Sequence, residues 1–267
     1  MTVGIPSIKK EAKALLKGNW VSVIISSLTV LFSFFIIYNI GWVLSLVIGD
    51  IASSLIAVVL GVVLLGPLSL GVIRYFYRIK GGMDETPATV FYYFSFRRGF
   101  NKAIRLCMAL AVRFLLTAAM FYLPAVLVYV ISSPNLYDFL KMPIPLWSQH
   151  LTYLVNFLSS LASVLTAFSL LKFYLVPFLI IADDEMDVEE AVLMSTVISK
   201  TTITDFVFLG LSLILWIILS LLYIPLLFTL PYFIMCYVVH SLYAINAYNE
   251  RINKINNQNL PMFEAGI

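Results

Sequence analysis

VSVIISSLTVLFSFFIIYNIGWVLSLVIGDIASSLIAVVLGVVLLGPLSLGVIRYFYRI, from Val21 to Ile79, carries only three charged residues, Asp50, Arg74 and Arg78. A helix crosses the hydrocarbon core of a bilayer in about 20 apolar residues, so this stretch is long enough for two crossings. Gly49-Asp50, near its middle, is the place to turn. The stretch sets the fold class: all-α, a polytopic helical membrane protein. The whole chain agrees, since 61% of its 267 residues are hydrophobic and 12% are charged, against roughly 45–50% and 25% in soluble domains. A water-soluble globule is excluded on that count. The first apolar run is also far too long for the 7–15-residue core of a cleavable signal peptide.

Working outward, apolar blocks recur and predict six spans, near residues 20–48, 52–76, 103–131, 150–182, 206–223 and 228–247. Residues 1–19 form a segment before the first span and 248–267 a tail after the last, all within a single integral membrane domain. The polar, proline-bearing stretch from Ser132 to Gln149 separates spans three and four. Pro225 and Pro231 predict a very short loop between spans five and six, with a single broken helix as the alternative.

Sixteen of the 17 Lys and Arg fall on one side of this arrangement or at its membrane depth; Lys141 alone falls on the other. The positive-inside bias then places both termini in the cytoplasm. A segment of helical character precedes each odd-numbered span: Ser7 to Lys17, Thr86 to Lys102, and Asp187 to Lys200. In the first, Ile8, Ala12, Leu15 and Leu16 recur at helical spacing with Lys9, Lys10, Lys13 and Lys17 between them, the pattern of a helix lying in the headgroup plane. In the second, Val90, Phe91, Phe94 and Phe96 adjoin Arg97 and Arg98. These six cations are the expected contacts for anionic headgroups. A net charge of +3 is too small to point to nucleic acid, and the lipid bilayer, with a membrane-protein partner, is the expected company.

Two cations lie inside spans. Arg113 sits mid-block in the third span at a central insertion cost of about 3 kcal/mol, which the surrounding Leu, Ile, Val and Phe outweigh. It can snorkel towards Arg105. Lys172, in the fourth span, lies near the inner interface if the helix breaks at Pro177 and is buried if it continues to Ala182. The two fall at similar depth, so together they form a candidate site for a lipid phosphate or another anion.

The acidic run Asp183, Asp184, Glu185, Asp187, Glu189 and Glu190 lacks the alternating ligands and central glycine of a calcium loop. Asp187 with Glu190 three residues on reads instead as a capping-box-like helix start. Cys107 and Cys236 read as small core residues, and His150 and His240 stand alone in their neighbourhoods. No catalytic set, metal motif or cofactor fingerprint appears, so neither a metal nor a cofactor is expected and an enzyme is the poorest reading.

IKKEAKALLKGNW (Ile8 to Trp20), LGPLSLG (Leu65 to Gly71), KFYLVPFLIIADDE (Lys172 to Glu185), EEAVLMS ending at Ser195, LGLSLILW (Leu209 to Trp216) and LPY (Leu230 to Tyr232) occur in that order. Together they make the chain resemble the domain-of-unknown-function 975 family of predicted bacterial integral membrane proteins. The resemblance implies a multi-pass protein of the bacterial cytoplasmic membrane and supplies no activity. The expectation is a non-enzymatic membrane protein acting through lipid or membrane-protein association, with a transporter of a small anionic solute or amphiphile at Arg113 and Lys172 as the alternative.

Overall fold

The computed structural model describes residues 4–83, 85–133, 139, 141, 148–220 and 223–259. Among them there is no strand. The helices are α1 (Ile5–Leu16), α2 (Trp20–Ile48), α3 (Asp50–Leu60), α4 (Gly66–Lys80), α5 (Arg97–Ser132), α6 (Ser148–Leu170), α7 (Val176–Ala182), α8 (Val188–Ser212), α9 (Ile214–Ser220) and α10 (Tyr223–Asn259). A π turn, Gly61–Leu65, joins α3 to α4, and 3-10 turns occupy Pro87–Phe94 and Leu171–Phe173. Six stretches are long and apolar enough to cross a bilayer: Trp20–Ile48, Asp50–Lys80, Arg97–Ser132, His150–Ala182, Val188–Ser212 and Pro225–Lys254. Large apolar side chains stand exposed along them, including Phe32, Leu115, Leu116 and Phe208. Such a surface suits lipid rather than water, and the chain is an all-α, multi-pass membrane protein.

Gly49 ends α2 with φ +82°, a left-handed conformation that glycine adopts without strain, so the first hairpin turns where the sequence places it. The π turn follows from Pro67. A proline in a helix lacks the N–H for the bond to the residue four before it, and its ring crowds that carbonyl, here Val63; widening the turn relieves both. Along α2 the hydroxyls of Ser26, Ser27, Thr29 and Ser33 donate to carbonyls four residues back at 2.8–3.0 Å. That satisfies them inside an apolar environment.

Two compact units emerge, one of Met1–Cys107 with Leu175–Ile267 and the other of Met108–Tyr174. The first is built around α10, whose Met235, Cys236, Val238 and Val239 are fully buried with Ile8, Ala12, Leu16, Val23 and Phe76. The 3-10 turn Pro87–Phe94 seats Val90 and Tyr93 in the same unit, both with at most 2% exposure. It can do so because Gly71 has no side chain: a Cβ there would stand 1.9 Å from the Val90 carbonyl oxygen. The second unit pairs the later part of α5 with α6, where the Tyr122 and Ser163 hydroxyls meet at 2.6 Å.

Several expectations need correcting. The apolar stripe of α1 does not face acyl chains. Ile8, Ala12 and Leu16 are buried in the core around α10, with Glu11 bonded by Tyr243. Thr86 to Lys102 forms no separate helix, because the 3-10 turn stops at Phe94 and Arg97 already begins α5. Asp187 to Lys200 runs on into the fifth span as α8. That span breaks at Leu213 rather than ending near 223. Pro225 and Pro231 do not bracket a loop; both lie within α10, Pro225 in its first turn, where a missing N–H costs nothing. The break in the fourth span falls at Leu171–Phe173, ahead of Pro177, which sits in the first turn of α7.

Candidate functional site

Arg113 and Lys172 both belong to the second unit, and the fold brings them to one ring. The Arg113 guanidinium carbon lies 5.9 Å from the Phe173 centroid and the Lys172 Nζ 4.9 Å from it. Arg113 is half-buried and donates from Nη1 to the Ala109 carbonyl at 3.0 Å, so its side chain runs back along α5. Lys172 is exposed on the 3-10 turn that ends the α6 segment. A cation over an aromatic face gains electrostatic attraction. Phe173 thus holds two positive charges on adjoining elements, an arrangement able to receive one anionic group. The phenylalanine adjoins Lys172 in sequence, but its link to Arg113 exists only in the fold.

The candidate headgroup lysines divide. Lys10, Lys13 and Lys17 are exposed on the outer face of α1, whereas Lys9 turns inward and its Nζ donates to the Ser212 carbonyl at 2.8 Å. There it caps the C-terminal end of α8 at the Leu213 break, where carbonyls lack intrahelical partners and the helix dipole is negative. Arg97 and Arg98 are exposed at the start of α5 and form no ion pair among the described residues.

The acidic run starts a helix, as its spacing indicates. The Asp187 side chain accepts from the Glu189 N–H as the N-cap of α8, and Asp183 Oδ1 accepts from Glu185 N at 2.9 Å. Desolvation acts to raise the Asp187 carboxyl. The Glu189 and Val188 N–H groups, with the charges of Arg105 and Lys102, outweigh it and hold the carboxyl below the usual aspartate range. What sequence reasoning missed is the basic ring these acids face. Arg74 forks onto Asp184 at 2.8 and 3.2 Å while its guanidinium stacks 3.8 Å over Tyr92. Arg105 meets Asp187 at 3.2 Å, and Lys102 donates to the Asp184 carbonyl at 2.8 Å. Nearby, Arg78 pairs with Glu85 at 2.7 Å, and Lys80 with Glu11. Burial pushes the Tyr93 hydroxyl up to about 12, with the Arg74 charge pulling the other way. This network clamps the 3-10 turn, α4 and the start of α8 together, and its charges are mutually engaged.

Of the recesses in the first unit, two lie against α8 and α10. One is an apolar groove of about 340 Å3 bounded by Ile73 of α4, Phe206, Leu209, Gly210 and Leu213 of the α8 end, and Phe233 of α10. Its wall ends at Leu213, next to the carbonyl that Lys9 caps. The other is a polar recess of about 150 Å3 between α1, α8 and α10. Neither is lined by Arg113 or Lys172. Among the described residues no three His, Cys, Asp or Glu gather as metal ligands.

No protein-family model, no curated protein and no solved structure matches the chain.

Proposed function

We propose that this chain is a non-enzymatic protein of a bacterial cytoplasmic membrane, both termini inside, that works by holding anionic lipid. The observation that carries the reading is the apolar groove beside Lys9. Its walls are almost wholly apolar and belong to spanning helices, so an acyl chain enters without desolvating a polar group. The Lys9 ammonium, held at the Ser212 carbonyl next to the groove wall, supplies a positive pole for a phosphate.

The test is lipid retention. A Cβ at Gly210 meets nothing within 4 Å, so Gly210→Leu sends its side chain into the groove without a backbone clash. Protein purified in mild detergent is extracted and its lipid counted by mass spectrometry. Gly210→Leu is expected to lose bound lipid while melting no lower than the parent. Lys9→Gln is expected to keep lipid but lose the preference for anionic over zwitterionic species. Unchanged lipid in Gly210→Leu would refute the reading.

A second reading, transport of a small anionic solute or amphiphile, is favoured by one observation, the convergence of Arg113 and Lys172 on Phe173. Flux of anionic solutes in proteoliposomes, lost in Arg113→Leu and Lys172→Leu alike, would select it over lipid holding.

A further inference from the structure

The polar recess is built differently from the groove. On α10, His240, Ala244, Ala247 and Arg251 line it at positions i, i+4, i+7 and i+11, a single helical face. Ala244 and Ala247 leave this face low between His240 and Arg251. Asp205 of α8 forms the opposing wall, with His240, 4% exposed, beside it.

The charges in this recess stand apart. Asp205 is half-buried and makes no hydrogen bond or ion pair among the described residues, although Arg251 and Lys254 line the same space. Neither cation closes on it, nor do Glu250 and Lys254 pair despite their i,i+4 spacing. Glu250 is exposed at the rim, where water screens it, so Asp205 is the stronger acidic pole. A half-buried carboxylate facing an open space, with cations across that space, is complementary to a molecule carrying both charges. The volume matches about five waters at roughly 30 Å3 each. That suits a molecule the size of phosphoethanolamine and is too small for a nucleotide or a whole phospholipid.

We propose that this recess binds a small zwitterion in which a primary ammonium is joined to a phosphate or carboxylate. The ammonium donates to Asp205, and the anion meets Arg251 and Lys254. The Tyr243 ring forms part of the wall, and its orientation is held by the hydrogen bond from its hydroxyl to Glu11 at 2.6 Å. An ethanolamine lipid headgroup and a free amino acid share this chemistry.

Titration calorimetry on the full chain in detergent tests it, with O-phosphoethanolamine, phosphocholine and glycine as probes. Phosphoethanolamine is expected to bind saturably. Phosphocholine, whose quaternary ammonium has no N–H to donate, should bind about tenfold more weakly. Asp205→Asn and Arg251→Gln should each weaken phosphoethanolamine by a similar factor. Ala247→Leu, which fills the recess with an apolar side chain and leaves every charge in place, should abolish binding. A short-chain phosphatidylethanolamine binding more tightly than its headgroup identifies lipid as the source; glycine binding as tightly as phosphoethanolamine identifies a free zwitterion. No saturable heat from any probe, or parent-like affinity in Asp205→Asn, overturns the proposal. If Asp205→Asn does not fold, parent-like binding by Ala247→Leu overturns it alone.

Discussion

Gly71→Ala tests how the first unit is assembled, because two physical effects predict opposite signs. In a helix interior, Gly to Ala adds about 0.8–1.0 kcal/mol of stability through backbone entropy. At Gly71, however, the new Cβ stands 1.9 Å from the Val90 carbonyl oxygen and 2.7 Å from its carbon. Ordinary contact is about 3.5–4.0 Å, so helix α4 and the 3-10 turn must part by about 1.5–2 Å. The clash is with backbone, which cannot rotate away. Parting them opens the seats of Val90 and Tyr93, both essentially fully buried, and each such side chain is worth about 1.5–3 kcal/mol when wholly buried. With part of that lost and the helical gain set against it, the net expectation is a loss of about 2 kcal/mol. Scaling from soluble proteins of 150–250 residues gives a fall of about 4–8 °C in Tm. Gly210→Ala is the control, because its Cβ meets open space and the helical gain stands alone. Both variants are melted in the same detergent at one scan rate, which keeps irreversible unfolding comparable. Gly71→Ala melting at or above the parent would refute the close approach.

Asp187→Asn keeps a good N-cap but removes the titration. A carboxyl held low stabilises the fold fully above the ordinary aspartate value of about 3.9 and loses that effect as pH falls through it. The acid limb of melting temperature against pH should therefore flatten in the variant. Tyr93→Phe acts at the other end: a hydroxyl raised to about 12 keeps its proton while the unfolded chain ionises near 10, so stability drains between those values in the parent and should not in the variant. Arg113→Leu and Lys172→Leu should insert at least as well as the parent, the first removing a central cost of about 3 kcal/mol, and stabilisation by added anionic lipid should disappear in either if they share a ligand. Additive, lipid-independent effects in the double variant would separate them. For topology, Lys10→Cys and Lys141→Cys are made in a background lacking Cys107 and Cys236; an impermeant reagent should label the second in intact cells and the first only after permeabilisation.

The number of spans, and the place of all but the fifth, were legible because bilayer thickness imposes a length that no soluble core demands, and because Gly49-Asp50 marks the first turn. The capping role of Asp187 was legible for a similar reason, since a local rule fixes it. The cover of α1 was not. Its 3.6-residue stripe shows that Ile8, Ala12 and Leu16 share a face, yet acyl chains and α10 satisfy that stripe equally well. Lys9 looked like its three neighbours, and only the break at Leu213 draws it inward. The partnership of Arg74 with Asp184 spans 110 residues of chain, beyond any local pattern. His240 read as solitary because its companions lie a turn or more away; the small residues Ala244 and Ala247 ahead of Arg251 were the available hint of a recess.

The bond from Tyr243 to Glu11 joins residues 232 positions apart, and this sets an order of events during synthesis. Helix α1 leaves the ribosome well before α10, whose residues bury much of its apolar stripe, is made. At roughly 5–20 residues per second, the interval is some tens of seconds. Throughout that time Ile8, Ala12 and Leu16 lack the α10 residues that complete their cover. The seating of Ser7 to Lys17 is thus completed only when α10 arrives. A chain truncated before Tyr223 would lack Met235, Cys236, Val238 and Val239, and its first helix would keep only the part of the core that Val23, Leu68, Val72 and Phe76 supply.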